Sequence, residues 1–234
     1  MTDRERMEST LRAGLPALSL SLSDTQINTL LDFGAAVLEQ NKVMNLTAVK
    51  EPEAFARLHL LDSLSLLTAA DLEGKSVLDV GTGAGFPGVP LKIACPSLQL
   101  TLLDSTEKKI RWLSNTLPTL GIEAEAVAAR AEEFEPQFDV VTSRAVARLN
   151  LLCELCQPRV KLGGMFCALK GADGELEASE AAGAIKKLGG TIRKIDPLTL
   201  PGGEKRVIIA VEQTKACPAG YPRTWGQMKK RPLE

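Results

Sequence analysis

The chain has 234 residues, 44% of them hydrophobic and 24% charged, and carries a formal net charge of −1. This is the composition of a globular protein large enough to bury a substantial core. The near-neutral balance argues against strong nonspecific binding to duplex nucleic acid and leaves room for a small basic face.

Five cysteines, odd in number and irregularly spaced, together with a single histidine, argue against a disulfide framework or a Cys/His zinc module. No metal is therefore expected, and Cys153 and Cys156 read as two small hydrophobes on one helix face. The start, Met1-Thr-Asp-Arg-Glu-Arg6, is charged and leads into no signal-type segment. No run reaches the roughly 18 apolar residues needed to cross a bilayer. A cytoplasmic protein without membrane association is expected.

Residues 1–70 read as a helical cap. Ser23-Asp24 can cap a helix through about Gln40, with Ile27, Leu30, Leu31, Phe33, Val37 and Leu38 at core spacing. Asn41 to Thr47 breaks it. Pro52 opens a second helix from Glu53 to about Ala69, carrying Phe55, Leu58, Leu61, Leu64 and Leu67.

Residues 71–217 alternate between strands and helices. The expected strands are Ser76–Val80, Gln99–Asp104, Glu123–Ala129, Phe138–Ser143, Gly164–Lys170, Thr191–Asp196 and Arg206–Glu212. Helices are expected near Val89–Cys95, Thr106–Leu117, Leu149–Lys161 and Glu175–Leu188. This is a doubly wound α/β pattern with a mostly parallel sheet. Pro197 to Gly203 is too short for a crossover helix, so the last two strands pair as a hairpin and the sheet ends antiparallel. Methyltransferase sheets end this way and dinucleotide-binding sheets usually do not. Residues 218–234 form a basic tail, expected to be extended, with the whole chain one structural domain.

The site is expected where the first strand meets its glycine turn, Gly81-Thr-Gly-Ala-Gly85. Glycines there permit φ > 0 and close approach of backbone to a ligand. The letters allow two registers. Gly81, Gly83 and Gly85 suit an S-adenosylmethionine site, whereas Gly83, Gly85 and Gly88 suit a dinucleotide. In such sheets, ligands lie outside the carboxyl ends of the strands. Asp104, ending the second strand, can accept from both ribose hydroxyls of an adenosine, and Asp104 or Ser105 can also cap the next helix. Arg130-Ala-Glu-Glu-Phe134 can meet an adenine edge with backbone N–H groups and a carboxylate. Arg144, after the fourth strand, can hold a carboxylate bidentately or grip a phosphate.

Several segments occur in a recognisable order: Asn45-Leu-Thr47, His59-Leu-Leu-Asp-Ser-Leu64, Asp79-Val-Gly-Thr-Gly-Ala-Gly-Phe-Pro-Gly88, Arg130-Ala-Glu132, Ser143-Arg-Ala-Val-Ala147 and Tyr221-Pro-Arg223. From about residue 40 onward, the chain resembles the glucose-inhibited division protein B family, the RsmG-type 16S ribosomal RNA guanine-N7 methyltransferases. The resemblance implies a Rossmann-like class I methyltransferase fold and S-adenosyl-L-methionine as cofactor. It also implies 16S ribosomal RNA or the small ribosomal subunit as partner, with no obligate protein partner evident. Gly81, Phe86, Ala131, Glu132 and Arg144 would then contact the cofactor, beside Gly83 of the turn, Asp104 at the ribose and the adjoining Ser105. The tail departs from the family, since Arg223-Thr-Trp-Gly-Gln-Met-Lys-Lys230 lacks its usual Gly-Thr-Pro.

What is absent agrees with that chemistry. Cytosine C5 methylation would need a Pro-Cys nucleophile, but the order here is Cys95-Pro96 and Cys217-Pro218. Amine methylation would favour an Asn/Asp-Pro-Pro-aromatic loop where Ser143-Arg-Ala-Val stands. Guanine N7 is already nucleophilic and needs placement, so no catalytic base is expected. Candidate RNA contacts are His59, Arg223, Lys229 and Lys230, with Arg57, Lys108, Lys109, Arg111 and Arg231 behind them. Phe86 is expected as a lid over the cofactor.

Overall fold

The computed structural model describes residues 1–234. Strands β1 (Ser76–Val80), β2 (Gln99–Asp104), β3 (Glu125–Ala128), β4 (Phe138–Arg144), β5 (Val160–Lys170), β6 (Gly190–Thr199) and β7 (Lys205–Gln213) form one sheet. Its seven strands run in the order β3-β2-β1-β4-β5-β7-β6. β1 to β5 pair in parallel, and β7 lies antiparallel between β5 and β6. The expected hairpin turns at residues 200–204, where Leu200 N–H donates to Glu204 O.

Helices α1 (Asp3–Gly14), α2 (Asp24–Gln40), α3 (Pro52–Phe55) and α4 (Asp62–Leu64) make the N-terminal cap. Helices α5 (Gly88–Ala94), α6 (Glu107–Thr116), α7 (Leu149–Cys156), α8 (Gly174–Glu180) and α9 (Ala182–Lys187) cover the sheet, and α10 (Trp225–Lys230) follows it. No helix is long and apolar enough to cross a membrane.

Strand residues point alternately to the two faces, and the central strands carry buried apolar residues on both, so each face builds its own core. Cys167 and Leu169 of β5, with Ile208 and Ala210 of β7, join Met7, Leu11, Phe33, Phe55 and Val89 on the cap side. Phe166 and Ala168, with Val207, Ile209 and Val211, join Leu152, Cys153, Ile185 and Leu188 on the other. The cap shares its core with β1, β2 and α5 and has none of its own. Cys153 and Cys156 are buried packing residues, and burial pushes the Cys153 thiol up to about 12.

Four elements differ from expectation. The helix expected over 149–161 ends at Cys156, passes through a 3₁₀ turn at Gln157–Arg159 and gives way to β5 at Val160, four residues before the strand expected from Gly164. The helix expected over 53–69 runs from Pro52 to Thr68 but widens to a π turn at Ala56–Leu61 and ends in a 3₁₀ turn at Ser65–Thr68. That π turn carries His59, and π turns often sit at functional positions. The helix expected over 175–188 breaks at Ala181 into α8 and α9. The tail is not extended. Thr224 and Gln227 cap each other's backbone to start α10, and Met228 and Leu233 are buried in the second core.

Candidate active site

The turn after β1 is built by its own backbone. Gly81, Gly83 and Gly85 all take positive φ, at 71°, 59° and 99°, a region costly for residues with a Cβ. Gly81 N–H and Thr82 N–H both donate to Leu103 O, tying the turn to β2. Beneath it Asp79 is fully buried, its Oδ2 accepting from Thr82 Oγ1 at 2.7 Å and Gly88 N–H at 2.9 Å. Burial pushes this carboxyl up to about 6, against the pull of those two donors. Gly88 is a packing glycine, since a Cβ there would lie 2.7 Å from Leu102 Cδ2 and 2.9 Å from Asp79 Oδ2.

Asp104 is held from both sides: Oδ2 accepts from Gly83 N–H at 2.9 Å and Oδ1 from Thr106 N–H at 2.8 Å. It therefore stands at the mouth of a cleft of about 300 Å³. Of the expected cofactor residues, Gly81, Asp104, Ser105, Ala131 and Glu132 line this cleft together. Gly83 lies beneath the wall, bonded to Asp104.

Phe86 and Arg144 lie elsewhere. Phe86 is 5% exposed and stacks on His59 at 4.8 Å, with Phe33 and Phe55 rings 5.5 and 5.8 Å away. Its ring belongs to the cap's core, where an apolar side chain gains more than over an open cleft. It does not line the cleft as a lid. Arg144 donates to Leu58 O at 2.9 Å, to Asp62 Oδ2 at 3.0 Å and to His59 Nδ1 at 3.0 Å, and lies 5.3 Å over Phe86. Its guanidinium is committed to the cap. It faces a second cavity of about 470 Å³ shared with Asp62, Lys170 and Arg206.

Of the expected RNA contacts, two are half-buried and engaged within the fold, and His59 also lines the Arg144 cavity. His59 sits between Arg144 and Thr47 Oγ1, the latter at 2.6 Å. Because Arg144 can only donate, Nδ1 accepts and the ring proton sits on Nε2. Burial, then the Arg144 charge, lowers the His59 pKa to about 3. Thr47 is presented by a loop that Asn41 braces, its Oδ1 accepting from Leu46 and Thr47 N–H. Arg223 closes on Glu154, a fully buried carboxylate of α7, with Nε at 2.7 Å, Nη2 at 2.6 Å and the backbone N–H at 2.9 Å. Lys229 and Lys230 remain exposed on α10.

Sequence reasoning left out the cleft residues Val146 and Leu155, and offered Trp225 only as a stacking partner for the target base. Val146 is aimed by Ala145, which takes a left-handed φ of 57°. A Cβ on Gly81 would lie 2.4 Å from Val146 Cγ2, so only glycine leaves the floor open. Trp225 reaches the cleft because Arg223 is clamped two residues earlier. The Tyr221-Pro-Arg223 motif was the available signal, but its buried acid partner was not.

The family model for rRNA small subunit methyltransferase G matches residues 26–201. The chain belongs to that family. A ribosomal RNA small subunit methyltransferase G from Pelotomaculum thermopropionicum is 40% identical, covering 97% of this chain and 99% of that protein. One from Macrococcus caseolyticus is 44% identical over 91% and 92%. Among solved structures, a methyltransferase from Pyrococcus furiosus superposes with a TM-score of 0.58 at 15% identity, covering 79% of this chain and 96% of that one. A methyltransferase G chain is an S-adenosylmethionine-dependent enzyme, and the residues fit that cofactor. The glycine floor a Cβ would fill, the Asp104 carboxylate at the mouth and the apolar Val146 and Leu155 walls suit a nucleoside bearing a methionine-derived sulfonium chain.

Proposed function

We propose that the protein methylates N7 of one guanine in 16S ribosomal RNA, with the cofactor in the Gly81–Glu132 cleft and the guanine in the Arg144 cavity. The observation that carries this reading is the partition between them. Ala145 lines the second cavity and Val146 the first, so one turn at the end of β4 separates donor side from acceptor side. When bound, S-adenosylmethionine supplies an electrophilic methyl group on a sulfonium. The protein's part is to aim the guanine and to keep its N7 lone pair free.

No side chain here needs to take a proton, because N7 bears none. The acceptor side agrees with this. Asp62 is satisfied by Arg144 and by Arg206 Nε at 2.9 Å, and the His59 Nδ1 lone pair already accepts from Arg144. Arg206 donates Nε to Asp62 and Nη1 to Lys205 O, which leaves Nη2 for guanine O6 or an RNA phosphate. Lys229 and Lys230, exposed beside Trp225, supply backbone contacts to the RNA. Of the other proposed RNA contacts, His59 lines the guanine cavity and fixes Arg144, and Arg223 fixes the tail.

The test is incubation of small subunits or 16S RNA with the protein and S-adenosylmethionine, followed by nuclease digestion and mass mapping. A single new 7-methylguanosine is expected. Methyl incorporation at another atom or base overturns the assignment, and lack of binding to S-adenosylhomocysteine overturns the cofactor site itself.

A further inference from the structure

At the opposite end of the sheet from both cavities, Arg159 stands in an unusual position. It ends the 3₁₀ turn Gln157–Arg159 immediately before β5 and is 7% exposed. It makes no hydrogen bond and no ion pair, and its Nε is buried without a partner. The other deeply buried cations are paired, Arg144 with Asp62 and Lys170 with Glu177. Leaving the buried Nε of a guanidinium unpaired is costly, and the exposed Glu135 carboxylate acts on Arg159 only through space.

The side chain lines a cavity of about 360 Å³ together with Gln213, Cys217, Tyr221 and, at the rim, Glu135. Gln213 is 2% exposed. Its Nε2 donates to Leu188 O at 2.7 Å and to Lys215 O at 2.9 Å, so its orientation is fixed and Oε1 is left buried without a donor. The cavity wall thus carries a guanidinium fork lacking an acceptor, and Gln213 Oε1, sealed within the same wall, lacks a donor. Exposed Glu135 at the rim disfavours a doubly charged ligand.

We propose that this cavity is a second ligand site, taking a singly charged oxyanion, carboxylate or phosphate, with a hydrogen-bond donor beside it. The oxyanion accepts from the Arg159 fork and the donor meets Gln213 Oε1. A monoanionic phosphate satisfies both with one group. A carboxylate needs its donor from a neighbouring N–H or O–H. The site lies at the amino ends of β4 and β5, so it is separate from the methyl-donor cleft.

The experiment is a titration of the full chain near pH 6 with inorganic phosphate, and separately with acetate and glycolate, at ionic strength matched with chloride. It is read by melting temperature and calorimetry. Saturable phosphate binding is expected in the wild type, lost in Arg159→Met and weakened at least tenfold in Arg159→Lys, which keeps charge but not the fork. Glycolate exceeding acetate would mark a carboxylate-with-donor ligand, and phosphate exceeding both a phosphate site. S-adenosylhomocysteine affinity is expected to be unchanged in both variants. Without added anion, Arg159→Met should melt no lower than the wild type, since it removes an uncompensated charge. Equal phosphate binding in wild type and Arg159→Met overturns the site as adventitious binding elsewhere. So does no anion binding with a Glu135→Gln variant destabilised, because Arg159 would then be paired within the chain.

Discussion

His59 is the one histidine, and its neutral ring holds Arg144 over Phe86. Its folded pKa of about 3 lies below the ordinary 6.5. The stability it contributes is therefore complete above pH 6.5 and is lost as pH falls toward 3, at up to about 1.4 kcal/mol per pH unit. Asp79 acts with the opposite sign. Its carboxyl is raised to about 6, so its contribution is complete below pH about 4 and is lost as pH rises through about 6. Between those values the two slopes oppose, and the wild type alone would reveal neither. Urea unfolding of wild type and His59→Asn at pH 4.5, 5.5 and 6.5 separates them. The gap between the two proteins should narrow with acidification, and a constant gap would refute the buried neutral ring. Residues whose position follows from backbone geometry were legible in the sequence. Gly81 and Asp104 stand where any strand end of this sheet must put them. That Phe86 and Arg144 stand outside the cofactor cleft, with His59 between Arg144 and Thr47, depends on how the cap packs, which no local spacing encodes.

Among elements, the C-terminal segment changes most between sequence and structure. Its basic composition suggests a solvated arm, but a capping pair, two buried apolar residues and the Arg223–Glu154 clamp dock it beside the cofactor cleft. Glu154 sits unremarked in an apolar helix, so the clamp is legible only when both partners are seen. Trp225 should then report directly on cofactor. With Trp112→Phe leaving one tryptophan, S-adenosylhomocysteine is expected to alter Trp225 emission saturably. Trp225→Ala should weaken binding roughly fivefold, equivalent to the loss of about 1 kcal/mol of aromatic contact, while Trp225→Phe should retain most affinity. Unchanged emission and unchanged affinity would remove the tail from the site. The central parallel strands β1, β2 and β4 fall within a residue of expectation, because runs buried on both faces are continuous in the sequence, whereas β5 starts four residues early and the edge strand β3 is shorter.

At the scale of the molecule, the sheet divides the interior into two cores that meet only through strand backbones. Phe33 and Phe86 share one core with ring centroids 5.5 Å apart, and Phe166 lies in the other. Phe33→Leu and Phe166→Leu, with a sheet between them, should destabilise additively to within about 0.5 kcal/mol, whereas Phe33→Leu and Phe86→Leu should be coupled by more than that. Denaturant unfolding of the two double-mutant cycles measures both. Equal coupling across and within faces would mean that the sheet transmits strain rather than isolating it. The consequence is historical as much as mechanical. Substitutions on the cap side constrain one another and the acceptor cavity, while the far side can accumulate its own compensated changes without disturbing them. Two lineages of this enzyme could therefore diverge independently on the two sides of one sheet, and chimaeras exchanging whole faces should tolerate more differences than chimaeras cut within a face.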